Sequence, residues 1–136
     1  MPPKRLDPTD PAAWLRRAAS NLARARAGPS SAEVLYDDLC FDAQQAAEKA
    51  IKAVLVAQRT PFPKVHAIER LLGLAEDAGV VVPAEIREAA RLTRFATQAR
   101  YPDVAEEATE DEYRRSVELA GSVVRWARQQ IEQPGR

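Results

Sequence analysis

The chain of 136 residues contains one cysteine, Cys40, and one histidine, His66. A single thiol excludes an internal disulfide and a cysteine-based zinc cluster, and a reducing compartment is expected. A helical di-metal centre needs glutamates with two Glu-x-x-His pairs, which one histidine cannot supply. No metal and no cofactor are therefore expected. The five glycines stand singly, so there is no glycine-rich phosphate loop. No apolar run approaches the roughly 20 residues that cross a bilayer. The N-terminus opens polar and proline-rich rather than with a signal-peptide core, and a cytoplasmic protein without membrane contact is the expectation. Twenty basic residues balance twenty acidic ones, so attraction for a charged partner must come from local patches. Lysine is also scarce, with four against sixteen arginines.

What the chain does have is helical periodicity. Residues 1–10 read as a flexible lead-in and residues 11–133 as one helical domain. Asp10 caps a first helix with Pro11 at its first position, and Trp14, Leu15, Ala18, Leu22 and Ala25 recur at steps of three and four until Gly28-Pro29. A second helix is predicted from about Ala32 to Gln58, with Leu35, Leu39, Ala43, Ala46, Ala47, Ala50 and Val54 facing inward. Its alanines permit close approach of two helix backbones. Asp38, Asp42, Gln45, Lys49 and Lys52 fall on the opposite stripe, and Glu48 precedes Lys52 by the favourable four residues.

After the proline-punctuated turn Arg59 to Lys64, a shorter helix carries Ile68, Leu71, Leu72 and Ala75 and breaks at Gly79. Val80-Val81-Val82 has β-branched composition but no partner strand, and reads as an apolar connection. Pro83 opens a fourth helix that runs toward Arg100 with Arg87, Arg91, Arg94 and Gln98 on a polar ridge. Pro102 stops it, an acidic segment follows, and Thr109 with Glu112 forms a capping box for the last helix. The fold class is all-α: an up-and-down bundle of four long helices plus one short helix.

Cys40 lies near the inward stripe and reads as inert core filler rather than a nucleophile. Lys49 and Lys52, one turn apart, and Arg100-Tyr101 are the candidate anion-binding groups, joined by Gln45 and His66. Guanidinium gives a bidentate phosphate contact and a tyrosine ring can stack a base.

Three blocks carry a family resemblance. Phe41-Asp42-Ala43-Gln44-Gln45-Ala46-Ala47-Glu48-Lys49-Ala50-Ile51-Lys52, Pro63-Lys64-Val65-His66-Ala67-Ile68 and Arg100-Tyr101-Pro102-Asp103 occur in this order. Together they resemble the HEPN domain, named for higher eukaryotes and prokaryotes and for nucleotide binding. The likeness runs from Trp14 to about Ile131. It implies a helical bundle that usually forms a homodimer, binds a nucleotide or RNA ligand, and in prokaryotes often accompanies a minimal nucleotidyltransferase, as substrate-binding subunit or as the toxin of a toxin-antitoxin pair. It also implies an alternative. Some branches are metal-independent ribonucleases with an arginine and a histidine four to six residues apart, a spacing that Arg59 and His66 match with six residues between them. Pro61 and Pro63 interrupt that interval, and a non-catalytic nucleotide-binding module is the expectation, with a purely structural dimerisation module, in which Tyr101 packs and Arg100 pairs with the acidic segment, as the remaining alternative. Ala99 stands where the branch with Arg-Tyr-Pro often has threonine.

Overall fold

The structure, a computed structural model, describes residues 7–96 and 106–132. Within them the chain forms five helices and no strand. The first, α1 (Pro11–Ala27), begins as its sequence dictates. Asp10 accepts the Ala12 N–H at 2.9 Å, Pro11 needs no amide partner, and Gly28 ends the helix at φ 76°. Ala18, Leu22 and Ala25 are its buried face.

The second helix, α2 (Tyr36–Ala57), starts four residues later than expected. The Ser31 hydroxyl accepts the Glu33 N–H and its carbonyl accepts the Val34 N–H, so a local turn outcompetes the helix there. Leu35 consequently occupies an extended capping position and is 44% exposed, outside the inward stripe to which its spacing assigns it. The alanines do allow close packing: Ala43, Ala46, Ala47, Ala50 and Ala53 are fully buried. They are covered within the monomer, because α2 is the central helix, touching α1, α3 (Ile68–Asp77), the segment after α4 (Ala84–Arg87) and α5 (Glu110–Glu132). The opposite stripe is not a solvated face either. Asp42 and Lys52 are buried, Gln45 and Lys49 half-buried and Asp38 alone of the stripe exposed, and Gln44 and Glu48 beside it are buried as well.

α2 and α3 end in the same way. At α2 the Thr60 N–H bonds to the Leu55 carbonyl and the Arg59 N–H to the Val56 carbonyl. At α3 the Val80 and Gly79 amides repeat the pattern on Ala75 and Glu76. Both are Schellman caps, which place one residue in the left-handed region. Gly79 adopts it at φ 92° without a side-chain penalty, whereas Arg59 adopts it at φ 53°, at a cost of roughly 1–2 kcal/mol.

The connection through Val80, Val81 and Val82 alternates as an extended chain should, with Val80 and Val82 buried and Val81 exposed. The Trp126 indole N–H bonds to the Val81 carbonyl at 3.2 Å. The fourth helix departs from the α geometry expected of it. Only Ala84–Arg87 is α, and Glu88–Ala96 continues as a 3₁₀ helix. Its buried residues explain this, because Ile86, Ala89, Leu92 and Phe95 recur every three residues, the repeat of a 3₁₀ helix.

α5 opens on the reciprocal box. The Thr109 N–H bonds to Glu112 Oε1 and the Glu112 N–H to Thr109 Oγ1, both at 3.1 Å. Just before it, the buried Asp37 carboxylate of α2 accepts the Ala108 N–H at 2.9 Å and ties the entry to α5 onto the central helix. Among the described residues no helix is long and apolar enough to cross a membrane.

Candidate functional site

The site grows from the polar side of α2. Glu48, 4% exposed, receives three hydrogen bonds. Lys52 Nζ donates to its Oε2 at 2.8 Å, Gln44 Nε2 donates to Oε1 at 2.9 Å, and His66 Nδ1 meets Oε1 at 3.0 Å. Gln45 Nε2 donates to Gln44 Oε1 at 2.7 Å and extends the chain outward. A carboxylate accepts only, so the hydrogen of the His66 contact sits on Nδ1, leaving Nε2 to face outward. Burial pushes the Glu48 carboxyl up, but the hydrogen bonds from Lys52, Gln44 and His66 together outweigh it and hold the carboxyl below its ordinary range. Glu48 is therefore ionised, and it fixes one cation and one imidazole.

His66 reaches this carboxylate from the other side of a loop. The turn is closed by the Val65 N–H on the Pro63 carbonyl at 2.9 Å. The first amide of α3, Ile68 N–H, is capped by Thr93 Oγ1 at 3.0 Å, and that hydroxyl donates to Glu69 at 3.1 Å. With both flanks held, the exposed ring is aimed at Glu48.

A second chain of polar groups runs beside the first. Lys49 Nζ donates to Asn21 Oδ1 at 2.8 Å, Asn21 Nδ2 donates to Asp42 Oδ1 at 3.2 Å, and Arg24 Nε lies 3.5 Å from Asp42 Oδ2. Asn21 bridges α1 and α2 by using its donor and its acceptor at once. Burial, followed by the neighbouring charge of Arg17, pulls the Lys49 ammonium below its usual basicity.

The structure thus unites Lys52 and His66 through Glu48, attaches Gln45 through Gln44, and places Lys49 in the adjoining chain. Arg59 is not joined to His66 by any hydrogen bond or ion pair among the described residues. Arg100, Tyr101, Pro102 and Asp103 lie outside the described residues. Cys40 is fully buried, and burial pushes its thiol up to about 11 despite a hydrogen bond with Ser116. The groups that the stripe analysis missed are Glu48, Gln44 and Asn21. The four-residue spacing of Glu48 and Lys52 was a visible signal, but an amphipathic reading treats such a pair as surface decoration.

The chain matches the HEPN domain over residues 12–130. It is also similar to two solved structures. One is an archaeal HEPN homologue, ST0689, at 31% identity and a TM-score of 0.71, covering 90% of this chain and 98% of that one. The other is TT1696 from Thermus thermophilus, at 33% identity and a TM-score of 0.74, covering 88% and 97%. A comparison with curated proteins finds no match.

Proposed function

The chain belongs to the HEPN domain family, and from that premise we propose that it is a non-catalytic module that binds a nucleotide or nucleic acid. The observation that carries this reading is the buried Glu48 with its three donors. Apolar side chains of similar volume would serve stability as well or better at the Glu48–Lys52 pair. A central helix that instead buries Gln44, Glu48 and Lys52, and uses them to hold a histidine at the surface, has the character of a binding site. Lys49, Lys52 and Gln45 supply donors for phosphate oxygens, and the outward Nε2 of His66 an acceptor for a ribose hydroxyl or a base N–H. Arg100 adds a bidentate guanidinium and Tyr101 a stacking ring.

The ribonuclease alternative draws no support from Arg59 and His66, since His66 Nδ1 is held by Glu48 and no hydrogen bond or ion pair joins Arg59 to His66 among the described residues. A homodimer and a minimal nucleotidyltransferase partner, in either the substrate-binding or the toxin role, complete the proposal. They rest on the habit of the family rather than on an exposed apolar face, because Leu35 and Val81 are the exposed large hydrophobics among the described residues.

Calorimetric titration with mono- and dinucleotides tests the reading. Arg100→Ala should weaken binding by about 1.5–3 kcal/mol, the range of a charge-assisted hydrogen bond. Arg100→Lys should restore little, because the fork is lost. No binding by the wild type, alone or with its partner, removes the proposal. Light scattering that gives a monomer mass across micromolar concentrations removes the dimer.

A further inference from the structure

A groove of about 830 Å³ opens where the lead-in to α1 meets the turn after α2. That volume is within the range of about 300–1,000 Å³ typical of small-molecule sites. Its walls include two aromatic rings, Trp14 from α1 and Phe62 from the proline turn, with centroids 6.0 Å apart and planes at 78°. The Trp14 indole N–H is bonded to the Pro8 carbonyl at 2.9 Å. The ring is therefore held in place with its one donor occupied, and it offers apolar surface rather than a hydrogen bond. Lys52 Nζ lies 5.9 Å from the Trp14 centroid and 5.5 Å from that of Phe62, which links the groove to the Glu48 cluster.

The charge that lines this groove is one-sided, though exposed Asp7 and Asp10 flank its lead-in wall. Among the described residues, Arg59 and Lys64 line it, are exposed and form no ion pair, and no aspartate or glutamate lines it. In a chain with equal numbers of acids and bases, such a patch selects anions. Arg59 is also held in a left-handed conformation that Gly79 adopts without strain in the matching cap of α3. The chain thus keeps a guanidinium where glycine is the relaxed choice.

We infer that this groove is a second nucleotide subsite, in which a base lies against Trp14 and Phe62 and the phosphate meets Arg59 and Lys64. The combination of aromatic surface and unpaired cations fits a base joined to a phosphate, and base–aromatic contact tolerates any base. Lys52, which lines the groove and pairs with Glu48, joins this subsite to the Glu48–His66 cluster. The inference rests on the nucleotide-binding reading given above and adds a location to it.

The test is calorimetric titration of the full chain with adenosine monophosphate and with inorganic phosphate, together with thermal melting. Phe62→Ala and Arg59→Gly should each weaken nucleotide binding about tenfold, equivalent to about 1.4 kcal/mol. Inorganic phosphate, which has no base to place against the rings, should bind more weakly than the nucleotide. Arg59→Gly should at the same time raise the melting temperature by relieving the left-handed strain, so its lost affinity cannot come from unfolding. Nucleotide affinity unchanged in both variants, yet lost in Arg100→Ala, overturns the groove and leaves the nucleotide-binding reading standing. No nucleotide binding by the wild type overturns both.

Discussion

Two sets of ion pairs in this molecule share their chemistry and differ in their surroundings. On the outside, Arg87 pairs with Glu76, Arg115 with Glu88, and Arg94 with Glu112 at 2.7 Å, and every partner is at least 35% exposed. On α2, the side chains of Lys52 and Glu48 are 10% and 5% exposed and 2.8 Å apart. Water screens the first set, so they contribute little to stability and nothing beyond local pinning. The second set has lost its hydration, and each of its members depends on the others. Position on a central helix, rather than residue type, turns an ordinary four-residue pair into the anchor of a buried polar cluster.

The comparison breaks most visibly at Glu48. Glu48→Ala leaves Lys52 buried without its counter-charge, and it should lower unfolding free energy by about 3–5 kcal/mol in denaturant titration. Glu48→Leu combined with Lys52→Met should recover part of that loss, because no uncompensated charge stays buried. If the single variant costs no more than a surface pair, the distinction between the two regions fails.

Acid gives a gentler probe. The Glu48 carboxyl is held below its usual value of 4.5 in the folded chain, so its contribution is fully present above that value and is lost as the pH falls through the folded value. Stability measured from pH 6 downward should therefore decline below about pH 4.5, and Glu48→Gln should make the decline shallower. Equal slopes in both proteins would assign the acid sensitivity to other carboxylates. The smallest effect belongs to the outer set, where Arg115→Ala should change stability by no more than about 1 kcal/mol and respond to added salt.

Much of the fold was legible because its signals are local. Asp10 with Pro11, Gly28, Gly79 and the Thr109–Glu112 box each act within one helical turn, and all appear where the sequence puts them. The late start of α2 turns on a competition between Ser31 and the helix for backbone amides, which periodicity does not register. The 3₁₀ repeat was present in Ile86, Ala89, Leu92 and Phe95, but a step of three also fits an α-helical face.

The site was half legible. Lys52, His66, Gln45 and Lys49 could be named from residue type and resemblance; the structure joins the first three through Glu48 and Gln44 and leaves Lys49 in a separate chain with Asn21 and Asp42. Their burial could not be read, since assigning one inward stripe assumes neighbours on one side, whereas α2 has them on several. For the same reason Glu48, whose carboxylate holds the cluster together, looked like the lesser member of a surface pair.

Cys40 has a use that its chemistry withholds from the folded protein. Its side chain is fully buried and its thiol lies at about 11, so at pH 7 only about one thiol in ten thousand is ionised, and that one is out of reach. Unfolding exposes the same thiol and returns it to ordinary acidity. With one cysteine in the chain, the rate at which a thiol reagent consumes it becomes a clock for the opening of the central helix, needing no label and no engineered residue.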